Sequence, residues 1–323
     1  MADKKIIAVV GATGAQGGGL VRAILEDPSG GFAPRAITRD ANSDKAKELA
    51  KLGAEVVAAD VDDADGLKRA FRGAHGAYCV TFYWAHMKPE KEVAEAVLMA
   101  RAAKDAGLQH VIWSTLEDTR QFMSADDKRM PILQEKYRVP HFDAKAEADA
   151  FFSGVPTTFL LTTFYWDNLY MFGLAPKRGD NGQYSWAFPM GQKKLAGIAA
   201  EDIGKVAYGI FKAGQQYIGK KVGIYGEALT IDEMGQKLAK SIGIPAPHYH
   251  AAEADEYRGY GFPGADEMGN MFQYYRDFDK EFFALRDLNT AKALNPSLQS
   301  FDQFLAKNKD KVMAATEPAP TPA

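Results

Sequence analysis

Gly11-Ala12-Thr13-Gly14-Ala15-Gln16-Gly17 stands directly after the apolar run 6–10 and directly before a helical pattern. Three glycines at that spacing, between a buried strand and a helix, admit few folds. The first permits a tight turn, the second lets the backbone approach a diphosphate, and the third lets the helix pack on the strand. A diphosphate then lies over the unsatisfied N–H groups and the positive end of the helix. A glycine triplet alone is weak, so its weight depends on the elements around it.

Those elements repeat the strand–helix pattern. Short β-rich runs at 36–38, 55–59, 77–82 and 110–114 alternate with helical stretches. Ser43 is placed to cap the second helix and Gly53 to end it, while Pro89 opens and Gly107 closes a later one. Five strands with intervening helices predict an α/β fold, a doubly wound parallel sheet of the Rossmann type, in a unit spanning 1–155. A helix at 141–152 and a sixth strand at 157–161 come after a polar segment from 119 to 140, which is either a lid or holds a short helix. Residues 156–313 are expected to complete the sheet and form a smaller C-terminal α/β lobe. In it, Thr230 and Glu233 have capping-box spacing. The Pro- and Ala-rich end, 314–323, reads as a disordered tail.

With 46% hydrophobic residues the chain has material for a core without disulfides or metal. Its single cysteine, Cys79, lies in an apolar run and reads as a buried strand thiol, which fits a reducing, cytoplasmic setting. A net charge of −3 and the lack of a basic run argue against direct nucleic-acid binding. The apolar run near the start is too short for a signal or membrane segment. His248 and His250 share a strand face, but no third ligand accompanies them, and no metal is expected.

The nucleotide site extends beyond the turn. Thr38 and Arg39 end the second strand, where the adenosine ribose should fall. A carboxylate there suits NAD and an arginine suits the 2′-phosphate of NADP(H); Arg39 favours the latter, although Asp40 beside it leaves the former open. Asp60 ends the third strand and either reaches the adenine or caps the next helix. Ala15 in the turn and Thr81 late in the fourth run complete the expected cofactor set.

With these residues in view, the chain resembles the NmrA-like family, atypical relatives of the short-chain dehydrogenases/reductases, and within it the NADPH-sensing members. The similar stretches are the turn with Gly18, Thr38-Arg39, Gly53-Ala54-Glu55-Val56-Val57, Tyr83-Trp84, His141-Phe142-Asp143-Ala144-Lys145 and Gly261-Phe262-Pro263-Gly264-Ala265. The resemblance implies that Gly11, Thr13, Gly14, Gln16 and Gly17 hold the pyrophosphate, Arg39 the 2′-phosphate and Lys145 the nicotinamide ribose. The family includes nucleotide-binding regulators with little turnover and genuine reductases of quinones and phenolic compounds. The segment 122–138 is longer than the family pattern and is expected near the nicotinamide end.

Short-chain dehydrogenases move a proton through a tyrosine four residues before a lysine, one helical turn apart. Here the spacing survives as His141 and Lys145, and the tyrosine is absent. His141 is a candidate proton shuttle or a helix-start histidine bonded to backbone. Ser114, at the end of the fifth strand, is a candidate orienting hydroxyl or a strand-end hydroxyl bonded to backbone. Two aromatic clusters, Phe82-Tyr83-Trp84 and Phe164-Tyr165-Trp166, stand after the fourth and sixth strands, with Asp167 and Asn168 nearby. Tyr83, Trp84, Phe164, Tyr165 and Asn168 form the candidate substrate wall, with packing between the lobes as the alternative. The sequence favours a redox-state regulator acting on a protein partner, slightly ahead of an NADPH-dependent reductase of a quinone, enal or aromatic substrate. A homodimer is compatible with either.

Overall fold

β1 (Lys5–Val9) enters the sheet exposed and ends fully buried, and its carboxyl end delivers the glycine turn to α1 (Ala15–Glu26). The computed structural model describes residues 4–317, Ala125 excepted. The sheet continues through β2 (Phe32–Thr38), β3 (Glu55–Ala58), β4 (Gly76–Cys79), β5 (His110–Thr115) and β6 (Thr157–Leu161). A strand from the second half, Lys221–Gly223, pairs with β6, so that among the described residues seven parallel strands form one sheet. From the late strand inward the order is Lys221–Gly223, β6, β5, β4, β1, β2, β3. The order reverses between β1 and β4, where doubly wound sheets open a crevice for ligands.

The interior of this sheet is buried on both faces. α1, α2 (Asp44–Lys51) and the helix Ala200–Lys212 cover one face, packing Leu20, Ile24, Leu49, Ile203 and Ile210 against Ile7 and Val9. α3 (Ala64–Phe71) and α4 (Pro89–Asp105) cover the other, over Ala8, Ala77 and Trp113. Cys79 lies in that second layer, fully buried, and burial pushes its thiol well above the usual range. Ser43 accepts the Ala46 N–H at the start of α2, as its position in the sequence implies.

Two strand ends differ from expectation. β2 begins at Phe32 rather than at Ala36 and carries Pro34 within it. Burial of Phe32 and an ion pair of 2.8 Å between Arg35 and its register partner Glu55 support the longer strand. β4 stops at Cys79, and the chain then turns through a short 3-10 helix at Tyr83–Ala85.

The C-terminal lobe is mainly helical. Two small sheets join it, one of Phe164–Tyr165, Leu195–Ile198 and Glu227–Leu229, the other of Lys177–Arg178, Tyr184–Ala187 and His248–His250. The capping box of Thr230 and Glu233 is present at the start of helix Ile231–Ile242. Helix Ala265–Asp277 carries a polar stripe of Glu267, Asn270 and Gln273, but that stripe is itself buried, so buried residues run almost continuously from Ala265 to Tyr275. A buried ion pair ties the lobe to the sheet: Arg286 Nη2 meets Glu117 Oε2 at 2.8 Å and donates to the Thr162 carbonyl at 2.6 Å. The final helix, Lys309–Thr316, buries Val312 and Thr316, so the first three residues of the expected tail are helical. Residues 318–323 lie outside the described part. No helix among the described residues is long and apolar enough to cross a membrane.

Candidate functional site

Gly11 adopts φ +66°, in the left-handed region that a side chain disfavours. A Cβ on Gly17 would stand 2.5 Å from the Gly11 carbonyl oxygen, so the turn closes only with hydrogen at that position. Gly14 caps α1 without a side-chain hydrogen bond, leaving the first N–H groups of a twelve-residue helix open at the mouth of the turn. That is the cradle an anionic diphosphate fits.

Beside the turn, the Ala12 N–H bonds to the Ile37 carbonyl at 3.1 Å and holds the end of β2 against it. Thr13 and Thr38 bring their hydroxyls within 3.4 Å of each other. Arg39 is exposed and has no hydrogen bond or ion pair with the described residues. Asp40 is engaged, since its Oδ1 accepts the Asn42 N–H at 2.8 Å. Asp60 holds its own loop by accepting the Asp62 N–H, and the N-cap position of α3 falls to Asp63.

A cavity of about 390 Å³ starts at Gly11, Gly14, Ala15, Gln16 and Gly17 and runs toward the C-terminal lobe. Ser114, His141, Lys145, Thr81, Tyr83, Trp84, Phe164, Tyr165 and Asn168 all line it. Thr13, Thr38, Arg39 and Asp60 stand outside it, on the side of β2 and β3. The second wall comes from residues that sequence reasoning missed: Met268, Met271 and Tyr275 of helix Ala265–Asp277, with Met171 and Phe172. The aromatic clusters divide. Trp166 turns into the lobe core against Phe301 and Phe304, and Asp167 caps structure by accepting the Ala200 N–H at 2.8 Å.

Gln16 is held by three hydroxyls. Ser114 Oγ donates to its Oε1 at 2.9 Å, Tyr78 Oη donates to the same atom, and its amide donates to Tyr165 Oη at 2.5 Å. The Gln16 side chain thus braces the turn from below, and a diphosphate at this position meets backbone. Ser114 serves that brace, a partner neither of its sequence readings named. Burial pushes the Tyr165 phenol up to about 12, so it remains a hydrogen-bond donor.

Lys145 lies one turn into α5 (Pro140–Ala148), buried, with Nζ 2.8 Å from Glu92 Oε1 and 2.6 Å from Thr81 Oγ1. Thr81 in turn donates to Glu92 at 2.5 Å. Burial raises the Glu92 carboxyl, but the Lys145 charge, the His86 ring 3.5 Å away and hydrogen bonds from Lys145 and Thr81 override this and hold it at about 2. Glu95, next along α4, is pushed the other way, to about 7, by burial and by the Glu92 charge. Glu92 escaped the sequence reading because a glutamate in the first turn of a helix is ordinarily solvent-facing.

His141, at the start of α5, is bonded to a carboxylate from the other lobe. Its Nδ1 lies 2.6 Å from Glu267 Oε1, and its backbone N–H donates to the same oxygen at 2.7 Å. Tyr83 Oη donates to Glu267 Oε2 at 2.7 Å, and burial with the Glu267 charge raises that phenol. The long segment 122–138 closes over this corner as a strap. Gln134 donates to Tyr83 Oη at 3.1 Å, while Asn270 donates to the Pro131 and Arg138 carbonyls at 3.0 and 2.6 Å. A short 3-10 helix, Thr119–Phe122, precedes it. His250 pairs with Glu256 at 2.7 Å on the surface, and His248 is exposed beside it.

The NmrA-like family profile matches residues 3–310. An NmrA-like family domain-containing oxidoreductase, FrzB of Cladobotryum sp, is 26% identical over 292 residues, 86% of each chain. Among solved structures, NmrA, a negative transcriptional regulator in complex with NADP, superposes with a TM-score of 0.76 at 21% identity, covering 94% of this chain and 95% of that one. The same regulator has also been solved with NAD. The triphenylmethane reductase of Citrobacter sp., complexed with NADP(H), gives a TM-score of 0.69 at 18% identity over 96% of this chain and 99% of its own.

Proposed function

The chain belongs to the NmrA-like family, and on that basis we propose that it is an NADP(H)-dependent reductase of a flat, apolar acceptor such as a quinone, an enal or an aromatic compound. The observation that carries the reading is the cavity: it continues from the nucleotide turn into a wall of Tyr83, Trp84, Phe164, Phe172 and methionines. A flat ring system gains most from such walls, through area burial and ring contacts. A pure nucleotide switch has no need of them.

The residues fit the cofactor. Gly11, Gly14 and Gly17 leave backbone open to the diphosphate, and Ala15 and Gln16 contribute N–H groups at the start of α1. Arg39, exposed and without an ion pair among the described residues, takes the 2′-phosphate, whereas Asp40 is already committed to its own loop. NADPH is therefore the preferred form. Lys145, as the family resemblance implies, takes the nicotinamide ribose, anchored by Glu92. When bound, the nucleotide supplies a hydride. The chain excludes water with its aromatic walls, orients the acceptor, and supplies a proton from His141.

A second reading, a nucleotide-responsive regulator, is favoured by one observation. The Lys145 ammonium is already satisfied by Glu92 and Thr81, as in a structural ion pair. Steady-state NADPH consumption against a panel of quinones, enals and aromatic dyes separates the two. Acceptor-dependent turnover supports the reductase, and tight NADPH binding with no turnover across the panel turns the reading to the regulator.

A further inference from the structure

We infer that Glu267 is a positioning residue for proton delivery: reaching across from the C-terminal lobe, it fixes the tautomer and orientation of His141 and supplies the counter-charge for its protonated ring. The inference rests on the reductase reading for its catalytic half; its structural half stands alone.

Glu267 is 3% exposed; its Oε1 accepts His141 N–H and faces His141 Nδ1 at 2.6 Å, its Oε2 accepts Tyr83 Oη–H, and a carboxylate can only accept. With both oxygens occupied, the carboxylate cannot rotate to follow the ring. Nδ1 therefore carries a hydrogen in the neutral imidazole as well as in the charged one, which leaves Nε2 as the atom that gains and loses the proton. Nε2 has no hydrogen-bond partner among the described residues, and His141 lines the cavity between Trp84, at a ring distance of 5.0 Å, and Phe142, at 4.8 Å. A carboxylate behind one ring nitrogen and a reacting group before the other is the arrangement by which a buried acid sets a histidine's working tautomer.

The step balances simply. The Nε2–H bond of the imidazolium breaks, its electron pair stays on the ring, and an O–H bond forms on the acceptor oxygen. The two electrons of the reduction come from NADPH as hydride, and water restores the proton to Nε2. The missing tyrosine of the short-chain dehydrogenases is thereby replaced by a residue at the same helical spacing, provided a second lobe supplies the carboxylate.

The test uses Glu267→Gln and Glu267→Ala in the full chain. The amide carbonyl of glutamine can still accept from His141 but carries no charge. Histidine ¹⁵N NMR of the protein without nucleotide reads the tautomer, and turnover with the best acceptor of the panel reads the rate. The expected result is a single Nδ1–H tautomer in wild type and in Glu267→Gln, with a rate loss of about 10-fold or more in Glu267→Gln. Glu267→Ala should lose the single tautomer, with NADPH affinity retained as the check on folding. An Nε2–H tautomer in wild type, or Glu267→Gln turning over like wild type, overturns the inference. If no acceptor is consumed by wild type while Glu267→Ala scrambles the tautomer, the reductase reading fails and the positioning of His141 stands.

Discussion

Arg39→Ala separates NADPH from NADH more cleanly than any other single change. Arg39 is exposed and makes no hydrogen bond, ion pair or ring contact with the described residues. Its removal should alter stability by less than about 0.5 kcal/mol. A charge-assisted hydrogen bond from guanidinium to phosphate contributes about 1.5–3 kcal/mol. Each 1.4 kcal/mol is tenfold in affinity, so NADPH binding should weaken roughly 10- to 100-fold. NADH has no 2′-phosphate and should bind Arg39→Ala about as it binds wild type. Titration calorimetry with both nucleotides reads the two numbers. The size of the NADPH effect should shrink as salt rises, because the pair is exposed. An NADPH affinity unchanged within twofold, or an equal loss for NADH, refutes the assignment of the 2′-phosphate to Arg39.

The turn and the buried charges give four further outcomes. Gly17→Ala places a methyl 2.5 Å from the Gly11 carbonyl oxygen, so it should abolish measurable nucleotide binding in an equilibrium titration, even where circular dichroism shows a folded chain. Lys145→Met strands Glu92 in the interior and should destabilise by about 3–5 kcal/mol in urea unfolding, with Glu92→Gln in the same chain recovering much of it. Glu92, held at about 2 against an ordinary 4.5, stabilises the fold above pH 4.5. That contribution fades as pH falls from 4.5 toward 2, and the acid limb of the stability curve should lose this component in Lys145→Met. Glu95 has the opposite sign: raised to about 7, it favours the fold in its protonated form, present at low pH and lost as pH rises through 7. Glu95→Gln should therefore raise Tm more at pH 8 than at pH 5, by thermal melts in matched buffers.

The nucleotide half of the molecule was legible from local pattern. Strands buried on both faces show as continuous apolar runs, and helices between them carry cap and stop residues, as at Ser43 and Gly53. The glycine turn carries its own steric reason. The cavity's far wall was not legible, because the polar stripe of helix Ala265–Asp277, Glu267, Asn270 and Gln273, is buried along with its apolar side, so polarity does not tell which face lines the cavity. Glu92 and Glu267 were hidden for a different reason. Each is an acidic residue in the first turn of a helix, where acids are commonplace on the surface, and only the tertiary fold turns these two inward onto Lys145 and His141. The sequence placed Gln16 and Ser114 at the right ends of their elements. Their bond to each other, across 98 residues, depends on the order of the strands.

A reductase of this design requires that acceptor and cofactor meet in one apolar cavity and react there. Stopped-flow absorbance of the protein loaded with stoichiometric NADPH tests this directly, by tracking the nicotinamide band after mixing with a quinone or enal under anaerobic conditions. The expected result is loss of the band in a single phase, whose rate rises with acceptor concentration and saturates as the cavity fills. A band that persists against every acceptor, with NADPH tightly bound throughout, would contradict it.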